Sequence, residues 1–591
     1  MSDSPACAAA VIAQLAENVS DIVLCPGSRS APLALAALAF PGRVHVRVDE
    51  RSAAFLALGM AKGDPRRPVA VITTSGTAVG NLLPAVMEAA HSDLPLILLT
   101  ADRPGELVGF GANQTTEQTG VFAGFVRWQA ELDSRGDARA WMAQTARAVG
   151  HALGGLGNPA GPVHLNIHLG LPLTGQRPFQ LPEARPLLFA QAGQSVLELA
   201  AEPGTVVLCG DADPAVGAQA VVLAEEAGLP LIAEPSSNAR RGPNALALGR
   251  VLLDSRLADE VRRVIVYGHP TLSRPVNRLL SRPDVTVVVA GGSRVDPGQS
   301  ASAFADRVVI PGGDDPAWLA AWQRADRRAG EAWRKVLSEN GKLTGYQLAE
   351  TVLASLAADE ILVLGNSNPV RDADLAPIRD AAANWQRTGG GAVQENRDFD
   401  SVSVPDSSVP SVGVEEVYPN RGLGPVGVSD SSVPSVELGA VYANRGLGGI
   451  DGTLSTAVGI ALRARSQTTL LCGDLSFLHD SNALAIGADE PRPDLRVVVA
   501  DDHGGSIFAT LEYGQPQYAA VFERVFATSV PTDLVALAQS HGLPARRVHN
   551  LTEVQRCLAE PCHGIEVLVV EIDRSTRTHL SAKLVAIAKT L

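Results

Sequence analysis

Three stretches of the chain alternate short, wholly apolar runs with segments of helical period, and turn-forming residues mark each change. Apolar runs bounded by Gly, Pro, Asp or Ser predict buried strands, and the intervening amphipathic segments predict crossover helices, the βαβ rhythm of a parallel sheet. In residues 6–175 the predicted strands are Ile22–Cys25, Val44–Val48, Val69–Thr73, Leu94–Leu99 and Val163–Ile167. A proline-rich stretch, Pro172–Pro186, then breaks the pattern and reads as an exposed linker. A second series gives Thr205–Leu208, Leu229–Ile232, Arg263–Tyr267 and Val285–Val289 before the amphipathic segment Pro316–Leu337. A third, from Leu343, gives Ile361–Leu364, Thr468–Cys472, Leu495–Ala500 and Glu566–Ile572. The expectation is an α/β protein of three domains, 1–175, 191–340 and 341–591, with a linker at 176–190 and the first and third domains alike in architecture.

The third series is interrupted. From about Asp380 to Ala440 the chain is rich in Gly, Ser, Val, Pro and Asp and carries a tandem repeat with a 24-residue period: Asp406–Val412 recurs as Asp430–Val436, and Val417–Gly424 as Val441–Gly448. Two copies are too few for a solenoid, and the composition offers little apolar area to bury, so a duplicated insertion forming a long surface loop is expected. The second copy runs directly into Gly449-Ile450-Asp451-Gly452, whereas the first breaks at Pro425; Arg445 is therefore preferred to Arg421 as the functional arginine.

Length and a 46% hydrophobic content are enough for several cores. A net charge of −14 argues against nucleic acid as the main partner, because phosphate binding needs a basic surface. The six cysteines (Cys7, Cys25, Cys209, Cys472, Cys557, Cys562) form no C-x-x-C pair and read as reduced core thiols. With no basic, apolar leader and no apolar run of membrane-spanning length, a cytoplasmic enzyme with no membrane partner is expected.

Candidate chemistry sits at strand ends. The run ending in Cys472 leads into Gly473-Asp474-Leu475-Ser476, and the run ending in Ala500 leads into Asp501-Asp502-His503-Gly504-Gly505. Gly473 is expected to turn the backbone sharply. Two adjacent parallel strands would bring two carboxylates and a glycine backbone to one crevice, as an oxygen-ligated cation bridging phosphates requires, although an Asp after a strand is more often a helix cap. His503 is expected to face solvent, since an imidazole would soften an all-oxygen site. Glu50 follows the alternating run Val44–Val48 and precedes an apolar helix, Ala53–Ala61; alone, it reads as a helix-start acid.

The pair of strand-end motifs resembles the metal and thiamin diphosphate motif of the decarboxylase and carboligase superfamily. Further segments narrow the resemblance: Cys25–Leu33, Asp49-Glu50-Arg51, Thr74–Val79, Ala101–Pro104, Gly111–Gln114, Asn444-Arg445-Gly446 and Gly473–Ser476 are similar in order and spacing to the 2-succinyl-5-enolpyruvyl-6-hydroxy-3-cyclohexene-1-carboxylate synthase family of menaquinone biosynthesis. The resemblance covers nearly the whole chain outside the insertion. It implies three doubly wound parallel-sheet domains: pyrimidine-binding, central and diphosphate-binding.

The implied activity is that of a transferase that decarboxylates 2-oxoglutarate on thiamin diphosphate and adds the four-carbon unit to isochorismate. Glu50 would contact N1′ of the aminopyrimidine and promote loss of the C2 proton. Thr74, Ser75, Gly76, Gly448, Ile450, Asp474, Leu475, Ser476 and Asp502 would hold the cofactor, with Ile450 as an apolar wedge. Asp474, Asp502 and Gly504 would ligate Mg²⁺ or Mn²⁺; Asp502 stands where the superfamily has Asn. Ser28, Arg29, Arg103, Asn113 and Gln114 would hold isochorismate, and Ser367, Arg371 and Arg445 the 2-oxoglutarate side, a division left open between the two substrates. Ile507 and Phe508 would wall the site, and Arg274 resembles a basic position of the central domain that reaches it. The cofactor would span two chains, so a homodimer is the minimum, with a tetramer of two dimers as the larger assembly. The competing expectations are another thiamin diphosphate 2-oxo acid decarboxylase or carboligase, and a catalytically silent homologue disabled by the insertion.

Overall fold

The computed structural model describes residues 2–175, 180–184, 195–312, 315–378 and 439–591. Nearly all of the 380–440 insertion, with Arg421, and much of the expected linker lie outside the described residues.

The first unit is a six-stranded parallel sheet of β1 (Asp21–Leu24), β2 (Arg43–Val46), β3 (Val69–Thr73), β4 (Leu96–Asp102), β5 (Trp128–Asp133) and β6 (Val163–His168), in the order β2-β1-β3-β4-β6-β5. The middle unit contains β7 (Val196–Glu198), β8 (Thr205–Cys209), β9 (Leu231–Ala233), β10 (Arg263–Tyr267), β11 (Thr286–Ala290), β12 (Ala301–Phe304) and β13 (Arg307–Val309). Five of these form a parallel sheet, β12-β11-β10-β8-β9, and β13 pairs with β7. The third unit has β14 (Ile361–Leu364), β15 (Val441–Ala443), β16 (Thr468–Gly473), β17 (Leu495–Asp501), β18 (Ala545–Val548) and β19 (Ile565–Glu571), ordered β15-β14-β16-β17-β19-β18. Counted within its own unit, each six-stranded sheet reads 2-1-3-4-6-5, so the expected kinship of the first and third units holds at the level of topology.

The sheets are buried on both faces because successive side chains point opposite ways. Val23, Val71 and Leu98 enter one core, and Ile22, Ile72 and Leu99 another. The first of these cores also takes Val363, Leu470, Cys472, Val497 and Val499 of the third sheet, so the two related units share a single interior. Helix Glu50–Gly63 meets helix Thr453–Ala464 there at backbone distance: a Cβ on Gly59 would lie 2.1 Å from the Thr456 carbonyl, and one on Gly459 would lie 2.2 Å from that of Leu56. Gly459→Ala should therefore force the helices apart and lower stability by about 1–3 kcal/mol, measured as an earlier urea transition. An unchanged transition would show that the seam yields freely.

Several expectations change. The strand predicted over Val44–Val48 ends at Val46, because its only partner, β1, ends at Leu24, opposite Val46. β5, β15 and β18 are edge strands: β5 and β18 are half-exposed and partly polar, and β15 is apolar and largely buried but only three residues long. The C-terminal helix Arg577–Lys589, third-domain by sequence position, packs Leu580, Leu584 and Ala588 with Trp322 and Trp333 in the middle unit's core. All six cysteines are buried and free. No described helix is long and apolar enough to cross a membrane.

Candidate active site

Parallel pairing of β16 with β17 sets Gly473 opposite Ala500, so both chains leave the sheet at the same level. Asp474 opens the helix Asp474–His479, and Asp502 follows β17. Both line one cavity of about 300 Å³, together with Ser367, Arg371, Gly448, Ile450, Leu475, Ser476, Gly504, Ile507 and Phe508. Gly473 corrects the expected sharp turn: its φ is −85°, open to any residue, and a Cβ there would meet nothing within 4 Å, so neither backbone nor packing requires glycine. Gly504 does need glycine, with φ +128° and a would-be Cβ 2.3 Å from the Ala527 carbonyl. Its own carbonyl accepts the Ser506 N–H at 2.9 Å and keeps a second lone pair.

Adjacent aspartates face opposite ways. Asp501 pairs with Arg547 at 3.2 Å and with His503, whose side chain is 56% exposed, as expected for a residue outside the ligand set. Asp502 is buried and accepts the Ser506 hydroxyl, which in turn accepts the Asn368 side-chain amide at 2.6 Å. Burial, reinforced by the charge of Asp502, pushes Asp474 up to about 7, while the backbone N–H groups of Leu475 and Gly504 pull it back. Burial pushes Asp502 up to about 6 against the Ser506 hydrogen bond. Two buried carboxylates, one raised by the charge of the other, are a set that a hard cation would relieve. Among the described residues no group of three or more His, Cys, Asp or Glu could hold a metal alone, so such a cation would take further oxygens from backbone and diphosphate. The residues fit a metal-bound diphosphate.

Among the described residues, Arg371 is the one cationic residue that lines the cavity, beside Asp372. Ser367 is held at φ +74°, an uncommon conformation for a residue with a side chain, and its carbonyl accepts Arg371 Nη1 at 2.7 Å. Burial, with Arg445, Arg250 and Arg577 nearby, pushes Arg371 down to about 10. Arg445 is 6% exposed; it donates to Asn366 Oδ1 at 2.7 Å and to Thr271 Oγ1 at 2.8 Å and does not itself line the cavity. Arg274 stays outside the cavity, 72% exposed and paired with Glu512 at 2.7 Å. The bidentate pair Arg577–Asp372 was not foreseen. Its partners are 205 residues apart, and no motif marks either one.

The remaining predicted residues gather in the first unit, again at strand ends. Glu50 is the first residue of its helix and half-buried, with Asn81 Nδ2 3.5 Å from its carboxylate; Asp49 caps the helix by accepting from the Arg51 and Ser52 N–H groups. Beyond β3, Ser75 Oγ donates to the Gln114 carbonyl at 2.9 Å, Gln114 Nε2 returns to the Ser75 carbonyl at 3.0 Å, and Gly76 N–H meets Gln118 Oε1. Thr74 Oγ1 is buried without a hydrogen-bond partner. Arg29 is 9% exposed and donates to the Leu169 carbonyl; burial and the charge of Arg103 push its pKa down. The Nε atoms of both arginines are buried and unpartnered, an arrangement that a carboxylate would complete. Ser28, Asn113 and Gln114 are exposed at the same end. No residue of this group lines the Asp474 cavity, so the two halves of the predicted site do not meet there within one chain.

The thiamine pyrophosphate enzyme N-terminal TPP binding domain matches residues 6–122, and the corresponding C-terminal TPP binding domain matches residues 428–572. The fold is similar to benzoylformate decarboxylase from Polynucleobacter necessarius, with a TM-score of 0.62 and 16% identity over 97% of this chain and 99% of that one, a likeness of fold alone. Relatives named 2-succinyl-5-enolpyruvyl-6-hydroxy-3-cyclohexene-1-carboxylate synthase are 40% identical in a Nocardioides species, over 98% of this chain and 96% of the relative, and 42% identical in Kineococcus radiotolerans, over 94% and 93%. With cofactor-domain matches at both ends and relatives this similar along nearly its full length, the chain belongs to the 2-succinyl-5-enolpyruvyl-6-hydroxy-3-cyclohexene-1-carboxylate synthase family, thiamin diphosphate-dependent carboligases of menaquinone biosynthesis.

Proposed function

We propose that this chain decarboxylates 2-oxoglutarate and joins the remaining four-carbon unit to isochorismate, with Glu50 as the acid–base group and Asp474, Asp502 and the Gly504 carbonyl holding Mg²⁺ or Mn²⁺. The observation that carries this reading is the one cavity lined by Asp474, Asp502 and Arg371 together. When bound, thiamin diphosphate supplies an acidic C2 carbon and an electron sink for the loss of CO2. Leu475 and Ser476 would hold the diphosphate, Gly448 and Ile450 would shape the cavity around the cofactor, and Glu50 would exchange a proton with N1′. Arg371 and Arg445 supply positive charge for a dicarboxylate, Ser367 flanks them, and Ile507 and Phe508 exclude water. Arg29 and Arg103, with Ser28, Asn113 and Gln114, receive the second substrate, and Arg274, paired with Glu512, is a further basic contact. A smaller 2-oxo acid decarboxylase would have no use for so many buried guanidiniums, and a silent homologue no use for two crowded carboxylates.

The test is a coupled assay of the purified chain. Consumption of 2-oxoglutarate should require isochorismate, thiamin diphosphate and a divalent metal together; turnover without isochorismate would favour a simple decarboxylase.

Glu50 and Asp474 act across a homodimer interface in the cytoplasm, and two such dimers form the larger assembly. Mixing Glu50→Gln with Asp474→Ala subunits should restore about a quarter of wild-type activity, because half the dimers are mixed and each mixed dimer keeps one intact site. No recovery after subunit exchange would place both groups in one chain's site.

A further inference from the structure

The residues around Glu50 are tied to the far end of the helix that begins at Asp474. Asp49 Oδ2 accepts Asn482 Nδ2 at 2.7 Å, Arg51 Nη2 donates to the His479 carbonyl at 2.8 Å, and Ser52 Oγ donates to Asp480 Oδ1 at 3.4 Å. Asp480 is fully buried. Its carboxylate also accepts the Ser455 N–H at 2.6 Å and the Ser455 hydroxyl at 3.0 Å. One carboxylate thus bonds the first turns of two helices, Glu50–Gly63 and Thr453–Ala464, whose N-terminal ends favour negative charge. The chain entering the second of these helices carries Gly448 and Ile450 of the cavity wall. Arg51 in turn satisfies the last carbonyl of helix Asp474–His479. Glu50 itself makes none of these contacts. Three of its four nearest chain neighbours do.

A buried charge is retained only where its hydrogen bonds justify it, and nothing in the packing of helix Glu50–Gly63, already closed by the Gly59 and Gly459 seam, requires a carboxylate at its start. The contacts instead remove freedom from the one turn whose side chain must meet a ring nitrogen to within a fraction of an ångström.

We propose that Asp480, acting through Ser52, is a positioning residue for Glu50: it fixes the first turn of the Glu50 helix in the frame set by the Ile450 turn and the Asp474 helix. The role rests on the proton-transfer function proposed for Glu50. Every contact lies within one chain, so each chain's Asp474 helix is braced against the first turn of its own Glu50 helix.

Ser52→Ala is the sharper test, because Asp480 keeps both bonds to Ser455 and no orphaned charge is created. Three readouts are taken on Ser52→Ala, Ser52→Thr, Asp480→Asn and wild type: amide hydrogen exchange of residues 51–53 in the cofactor-free protein, C2-proton exchange of bound thiamin diphosphate, and cofactor half-saturation. Loss of one hydrogen bond should raise local amide exchange and slow C2 exchange in Ser52→Ala by about tenfold each. Cofactor half-saturation should stay within about twofold, Ser52→Thr should restore both rates, and Asp480→Asn should exceed Ser52→Ala. Wild-type rates in both Ser52→Ala and Asp480→Asn would overturn the role. So would loss of protection along the whole helix together with cofactor affinity, which marks a structural residue. Glu50→Gln is run alongside; if it exchanges C2 at the wild-type rate, the Glu50 reading fails first and this role falls with it.

Discussion

Glu50→Gln should leave the fold and the cofactor cavity intact yet slow exchange of the thiamin C2 proton by about 10²–10⁴-fold, the range for removing a general acid–base group. The amide keeps the shape of the side chain and its contact with Asn81, which lies 3.5 Å from the carboxylate, so lost turnover cannot be assigned to collapse of the helix start. Asp49 still caps that helix through the Arg51 and Ser52 N–H groups. Deuterium exchange at C2, followed by NMR, isolates the proton step from binding of either substrate. Exchange at the wild-type rate would show that loss of the C2 proton does not depend on Glu50. A large rise in cofactor half-saturation with normal exchange would show that Glu50 binds rather than relays.

The second large effect is a pH-dependent response to divalent metal. Without metal, Asp474 is pushed up to about 7 and Asp502 to about 6, while both ionise near 4 in the unfolded chain. Between about pH 4 and 7 the unfolded state therefore releases protons that the folded state retains. The contribution of this pair to stability falls as pH rises through that window. A cation reverses the balance by binding the ionised pair. At pH 8 it meets two free carboxylates; at pH 5 it must displace both protons, which weakens binding by about 10³-fold, two decades from Asp474 and one from Asp502. Mg²⁺ or Mn²⁺ should thus raise the unfolding temperature much more at pH 8 than at pH 5. Asp474→Ala should abolish the response and the retention of thiamin diphosphate. Equal responses at the two pH values would mean that the cation binds elsewhere.

The central strands were legible because burial on both faces leaves a short, unbroken apolar run; β3, β10 and β14 match their predicted bounds residue for residue. The edge strands β5, β15 and β18 were not, although β2 and β9, also at edges, were marked by their apolar positions. Val441–Ala443 pairs on one side only, with β14, and Ala545–Val548 is half-exposed, so neither needs the signature of a buried strand. Strand-end chemistry was legible for the same reason as the strands: in a parallel sheet every carboxyl end faces one crevice, so an acid after an apolar run is already placed along the fold's axis. The supporting contacts were invisible. Asn368 reaches Ser506 across 138 residues, and Arg577 reaches Asp372 across 205, distances over which no local pattern carries information.

The sequence by itself determined the class of fold, the strand ends that carry carboxylates and arginines, and the family. The first two follow from periodicity and spacing, which act over a few residues, and the family from the resemblance of its motifs. Only the tertiary structure decided which of those groups meet. It turned Asp501 toward Arg547 and Asp502 into the cavity, held Arg445 against Thr271 and Arg274 against Glu512, and kept the Glu50 group off the wall of the Asp474 cavity. Those outcomes depend on how three sheets pack and where their helices cross at Gly59 and Gly459. Such long-range registers are fixed by steric fit in the shared core rather than by any residue's immediate neighbours.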